Sequence, residues 1–362
     1  MHRRRIAAAL AAASALVLVA APAQAHRTPP APTLGSPSVV TSGLAGPLSL
    51  AVDVDGTVYA TQDFGGDVTA ISRTGKVRTL AGTTGASGVF AFAGSLVYTT
   101  TSEAGALVST RSRSGTVRTL ADVGAYEAAH NPDGAMHYGT SDLPADCLAQ
   151  WPETDPENPE SSVPEASYTG LVDAHPYASV SVLGTTFVAD AGANTIWKID
   201  ARGRVSTLAV LPAGSITPTA DQAEAMGLPR CLGGHTYVTE SVPTDVELGP
   251  DGWLYVSTLP GGPEDDTFGA RGSVYKVSPW TGRTVRVATG FLGATDLAVT
   301  PTGDVYVAEL FGDRVSVVRR GTSTPVRVMD VPMPGAVEWT PGALYVAAGV
   351  FADGQVLRVP LR

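Results

Sequence analysis

Four carboxylates, Asp190, Asp245, Asp296 and Glu309, stand at matching places in a hairpin that recurs through this 362-residue chain. Carboxylates gathered by a repeat offer three kinds of chemistry. Convergent oxygens can hold a hard divalent cation, calcium or magnesium, and such an ion would polarise a carbonyl for attack by water. Acids beside aromatic rings can instead bind a small molecule or glycan by hydrogen bonding and stacking. Acids can also be structural, accepting backbone N–H groups where strands turn. The metal reading falls on Asp245 and Asp296, which hold the same position in successive repeats. The sequence shows no Ser-His-Asp spacing for a nucleophile, no phosphate-cradling glycine loop and no HExxH zinc motif.

The hairpin that must position these acids is clearest at residues 244–262, TDVELGPDGWLYVSTLPGG. Alternating apolar positions, a Pro-Asp-Gly turn and an aromatic, β-branched return strand are hairpin signals. Residues 296–309 (DLAVTPTGDVYVAE), 49–62 (SLAVDVDGTVYATQ) and 336–348 (AVEWTPGALYVAA) repeat it, with looser copies at 87–100 and 177–190. A supersecondary unit recurring at this period predicts an all-β propeller, NHL-like, with six blades. A lone outer strand follows each hairpin at 77–80, 117–120, 205–208, 285–288 and 326–329, but the last repeat has none. Val39-Val40-Thr41, ahead of the first hairpin, is expected to supply it and close the ring, removing exposed sheet edges.

Inner strands of a propeller line a central channel, and the face where they begin usually holds the ligand. Counting back from each hairpin glycine gives one ring of mouth positions: Ser49, Ser87, Tyr177, Asp245, Asp296 and Ala336. Counting forward gives a second: Gln62, Thr100, Asp190, Thr258, Glu309 and Ala348. The carboxylates all fall in blades three to five, so Asp190, Asp245, Asp296 and Glu309 are expected to form an acidic mouth, with Tyr177, His175 and Gln62 beside it. Trp151, Trp253, Trp280 and Trp339 are expected to be packing residues.

Two insertions, 122–173 and 213–243, interrupt the repeat in the same kind of connection and should emerge on one face. Thr219 and Gln222 form a capping box that opens a short helix, with Gly227 placed to close it, and 123–130 is a second expected helix. Each insertion holds one of the two cysteines, Cys147 and Cys231, which predicts a disulfide in an exported protein. Residues 142–165 carry seven acids and no basic residue, as a solvated loop would.

Residues 1–25 read as an export signal. Three arginines precede an apolar run, and Ala-Gln-Ala fits a small-x-small cleavage site. Residues 26–37 read as a disordered lead-in, leaving 38–362 as the propeller. Loss of the signal takes the formal charge from −10 to −13, which argues against nucleic acid or an anionic membrane as partner. A secreted monomer follows, extracellular or periplasmic, with no membrane span after signal removal and a small molecule or protein as ligand.

Several stretches resemble the ScyD/ScyE family of exported, NHL-like six-bladed propellers. They are AYEAAHNPDG at 125–134, DAHPY at 173–177, FVADAGAN at 187–194, VPTDVELGPDGWLYVSTLPGGP at 242–263, and ATDLAV and YVAELFG within 289–311. The resemblance runs from 39 to 362 and implies that fold and export, but no established activity. Where the family carries asparagine before Pro-Tyr and in the first helix motif, this chain has His175 and His130. Acids at a propeller mouth also follow the site logic of senescence-marker/gluconolactonase-like enzymes, although their Glu, Asn and Asp set has no residue-by-residue match. The leading expectation is therefore a binding module for a small molecule or glycan. A divalent-cation-dependent lactonase and a protein-interaction scaffold are the alternatives.

Overall fold

The computed structural model describes residues 33–80, 82–102, 105–153 and 163–362. The expected signal and the middle of the acidic run lie outside the described residues. Six four-stranded antiparallel sheets follow one another along the chain, and a seventh is built from the insertions. The first strands of the six are Leu50–Val52, Ala86–Phe92, Pro176–Val182, Pro243–Leu248, Ala294–Val299 and Ala336–Thr340. Each first strand touches the next in chain order, and Ala336–Thr340 touches Leu50–Val52.

The sixth sheet takes its fourth strand from the other end of the chain. Ser38–Leu44 pairs antiparallel with Gly354–Pro360, Ser38 opposite Arg358 and Leu44 opposite Gly354. The pairing starts earlier than sequence placed it. Thr33 donates its N–H to the Arg362 carbonyl at 3.0 Å, and Gly35 to that of Pro360 at 2.7 Å. Residues 33–37 of the expected lead-in are thus adjacent to, and partly paired with, the C-terminal strand.

The hairpins come in two lengths. The first, fourth and fifth sheets join their leading strands by five-residue loops containing Gly56, Gly252 or Gly303 in the left-handed region. The second and third use two-residue turns, Ala93-Gly94 and Leu183-Gly184, with positive φ at both positions. That is the type I′ geometry whose twist suits antiparallel strands.

Packing between neighbouring sheets supplies the core. Val180, Phe187, Ile196 and Leu211 of the third meet Val246, Leu254, Val256 and Val277 of the fourth. Burying each such side chain contributes about 1.5–3 kcal/mol. Trp197, fully buried, anchors a second cluster with Val108, Val123 and Val188.

The insertions fold together. Strands Ser167–Thr169, His137–Gly139, Tyr237–Thr239 and Gly214–Ile216 form one sheet in that order. Helix α1 (Val123–His130) starts at Asp122, whose carboxylate caps the Ala125 N–H at 2.8 Å. Helix α2 (Ala145–Leu148) carries Cys147, and helix α3 (Ala220–Ala225) begins with both halves of the Thr219–Gln222 capping box. Cys147 and Cys231 are bonded, with Cα atoms 5.8 Å apart across 84 residues of sequence. A loop of that length corresponds to about 4–5 kcal/mol of unfolded-chain entropy.

Candidate functional site

The four carboxylates singled out by the repeat do not converge as free ligands. Glu309, fully buried, accepts from Arg314 at both oxygens (Nε 2.8 Å, Nη2 2.6 Å), from the Leu292 N–H at 2.7 Å and from the Ser316 hydroxyl. Asp190 accepts the N–H groups of His175 (2.7 Å) and Ala193 (3.1 Å) and the Trp197 indole N–H (2.7 Å). Burial still pushes its carboxyl up to about 6. Gln62 is equally committed, accepting the Ala45 N–H at 3.0 Å and donating to Thr69 at 2.6 Å.

Asp245 and Asp296 reach across between sheets. Asp245 Oδ2 accepts the Leu297 N–H at 3.1 Å, and Asp296 Oδ1 accepts the Val337 N–H at 2.9 Å. Ser49 does the same for Val89 at 3.2 Å. Two further acids join them from first strands. Glu247 lies two residues beyond Asp245, hence on its side of the strand, and Glu338 comes from the sixth sheet. Burial lifts Asp245 to about 7, and burial with the Asp245 charge lifts Glu247 to about 8. Asp296 and Glu338 are raised well above the usual carboxylate range, by burial first and then by neighbouring acids. At neutral pH these acids hold protons between them. Among the described residues, no group of three or more His, Cys, Asp or Glu side chains is placed to hold a metal. The divalent-cation site expected at Asp245 and Asp296 would have to form from acids that each already spend one oxygen on a backbone N–H.

Two ring positions also shift. Gly88 pairs with Thr99 and Ala178 with Ala189, matching Asp245 with Ser257 and Asp296 with Ala308. Ser87 and Tyr177 are one residue off the ring, because the shorter hairpins of those sheets bring the glycine one residue nearer. Gly88 suits its place, since a Cβ there would lie 2.2 Å from the Tyr177 carbonyl.

Displaced from the ring, Tyr177 lines a cavity of about 390 Å³ at the start of the first strands, together with His175. Asp173 and Glu240, from the ends of the two insertions, line it with Glu264, and so do Phe311 and Phe351. His175 and Tyr177 rings are 6.2 Å apart. Burial lowers the His175 imidazole below its ordinary value, so it is neutral near pH 7. Burial and surrounding acids hold the Tyr177 phenol protonated. Glu240 is pushed up to about 7, by burial first and by the charges of Asp133 and Asp173, against the opposing hydrogen bond from Tyr168. The cavity thus presents a phenol donor, a neutral imidazole and a carboxyl that titrates near neutrality.

Glu240, Glu264 and Asp173 were not among the expected site residues, since they lie outside the hairpins. Glu247 could have been found from strand alternation. Trp280 is 84% exposed, with the Lys198 ammonium 5.6 Å from its ring centre, so it is not the packing residue expected. A larger groove of about 1200 Å³ lies by the hairpin turns of the second and third sheets, among Phe92, Leu183 and Arg111, and no acid or histidine lines it.

No protein-family model matches the chain, and no curated protein does. Solved structures do match. A gluconolactonase from Xanthomonas campestris is 12% identical, with 91% of this chain and 95% of that one covered and a TM-score of 0.56. A putative glucose dehydrogenase from Thermus thermophilus is 17% identical over 90% and 99%, with a TM-score of 0.55. The aldose sugar dehydrogenase of Streptomyces coelicolor is 13% identical over 90% and 98%, with a TM-score of 0.53. The chain is a β-propeller. At such identities the likeness is one of fold. In a propeller the first strands border the channel; Asp245, Glu247, Asp296 and Glu338 lie on first strands, and the Tyr177 cavity lies where those strands begin. Among the described residues no helix is long and apolar enough to cross a membrane.

Proposed function

We propose that this chain is an exported, monomeric, six-bladed propeller of the ScyD/ScyE type, closed by Ser38–Leu44, whose mouth binds a polyhydroxylated small molecule such as a sugar or sugar lactone. The observation that carries the reading is the cavity itself, which is lined both by the donors and acceptors of Tyr177, His175 and Glu240 and by the rings of Phe311 and Phe351. Hydroxyl-rich rings need donors and acceptors for their hydroxyls and apolar surface for their C–H faces. The volume, about 390 Å³, suits one or two sugar rings. Structural neighbours that include a gluconolactonase and two sugar dehydrogenases support the same ligand class.

A second reading, lactone hydrolysis, is favoured by Glu240 alone. A carboxyl titrating near 7 is matched to general-base work on a water molecule. Calorimetric and thermal-shift titration with aldoses, aldonolactones and cyclitols tests the first reading, and acid release from the lactones in a pH-stat tests the second. Binding is expected to weaken about tenfold or more in Tyr177→Phe, the loss of one hydrogen bond to a buried ligand. If none of these compounds binds the wild-type protein, the mouth is not a site for that class.

A further inference from the structure

The first insertion brings three partnerless oxygens to one place. Glu127 lies on the buried side of α1, and Asn131 caps the helix four residues later, on the same face. The following turn returns Asp133. All three side chains reach the short segment 170–173. Glu127 Oε1 accepts the Asp173 N–H at 3.2 Å, and Asn131 Nδ2 donates to the Gly170 carbonyl at 2.9 Å. Asp133 Oδ1 packs so closely on Gly170 that a Cβ there would lie 2.1 Å from it.

Each residue is left with an idle atom. Glu127 Oε2, Asn131 Oδ1 and Asp133 Oδ1 are buried and have no hydrogen-bond partner among the described residues, and Glu127 and Asp133 are 0% exposed. The other Asp133 oxygen is already taken by Tyr138 at 3.2 Å and Asn194 at 3.0 Å. The charges acting most strongly on Glu127 are those of Asp190, Asp173 and Asp133, all negative. Buried acceptors with nothing to accept are costly and call for a positive partner.

We propose that Glu127, Asn131 and Asp133 form a calcium-class cation site against the 170–173 segment, fastening the first insertion to the lead-in of the third sheet. Two carboxylates and an amide oxygen are hard donors of the kind calcium takes, with backbone carbonyls and waters completing its shell; zinc would want nitrogen or sulfur. The site is separate from the channel acids and from the sugar-class mouth. Asp173 ends the segment and His175 follows it, so a bound cation would also steady one wall of that mouth.

Metal analysis of the native protein, calcium thermal shift and terbium luminescence sensitised through Tyr138 test this together. Wild type should bind one terbium per chain, displaced by calcium, with calcium raising the melting temperature. Glu127→Gln and Asp133→Asn should each weaken binding tenfold or more, while the Asp245→Asn/Asp296→Asn double variant keeps it. A wild-type protein with no saturable terbium signal and no calcium shift overturns the site, whether or not the variants fold. So does a signal that survives Glu127→Gln but disappears in the double variant, which would return the cation to the channel.

Discussion

Along the channel, Asp245 and Asp296 each hold the backbone N–H of the next sheet's first strand, and Ser49 does so with a hydroxyl at the matching place. In the first insertion, Glu127 and Asp133 are buried as deeply or more so, yet each keeps an oxygen without a partner among the described residues. The two groups share residue type and burial and differ in spare hydrogen-bonding capacity. Asp245 and Asp296, placed by the repeat, meet backbone donors that the repeat also places. An acid placed by an insertion has no such donor waiting. The acids the repeat makes most conspicuous, Asp190, Asp245, Asp296 and Glu309, are held by donors, whereas Glu127 and Asp133 in the insertion each keep an oxygen to spare.

Breaking the committed acids should have the largest effects. Glu309→Ala strands Arg314, the Leu292 N–H and the Ser316 hydroxyl in one step. Removing one partner of a buried ion pair costs about 3–5 kcal/mol, so the urea midpoint should fall steeply. Asp190→Ala leaves three donors unmatched, those of His175, Ala193 and Trp197; about 2–4 kcal/mol is expected at the desolvation cost of one to several buried groups. A loss below about 1 kcal/mol in both variants would mean that these acids are as idle as Glu127, and the contrast would fail.

How much of this was legible in sequence depended on length and repetition. Six copies of one hairpin made the propeller readable, and the Thr219–Gln222 box and residues 123–130 gave both expected helices. Cys147 and Cys231 were readable as a pair, being the only cysteines on two insertions of one face. The insertion sheet was not readable: its strands are three residues long, too short to show alternation. Ser87 and Tyr177 were set one residue out because counting from a glycine assumes one loop length, and these hairpins have two. The mouth acids Glu240 and Asp173 carried no local signal, since the tertiary fold alone brings the ends of two insertions together.

The channel acids give a smaller effect that depends on pH. Asp245 sits near 7 and Glu247 near 8, each raised above an unfolded value of about 4. A carboxyl raised by folding contributes its full stability below the unfolded value, and that contribution is lost as pH rises through the folded one. Wild-type stability should therefore fall from about pH 4 to about pH 8. In Glu247→Gln the fall should be smaller by about 1–3 kcal/mol, an order-of-magnitude figure from the raised value. Denaturant melts at half-unit pH steps would show it. Equal slopes in the two proteins would mean that the channel acids are fully charged and compensated, like Glu309.

The smallest effect on stability, and the one that most sharpens the comparison, belongs to Glu240. It accepts from Tyr168 and faces Asp133 and Asp173, with His175 in the same cavity, and it titrates near 7. Glutamine preserves an acceptor for Tyr168, so Glu240→Gln should change the melting free energy by less than about 1 kcal/mol. Ligand binding should respond differently. Above pH 7 wild-type Glu240 is charged and accepts ligand hydroxyls more strongly, since charged acceptors make the stronger hydrogen bonds. Affinity for a neutral polyol should then rise several-fold between pH 6 and pH 8 in wild type and stay flat in the glutamine variant. A pH slope that persists in Glu240→Gln would move the titrating group to His175. A variant that instead unfolds would place Glu240 with Asp190 and Glu309, among the acids whose hydrogen bonds hold the fold.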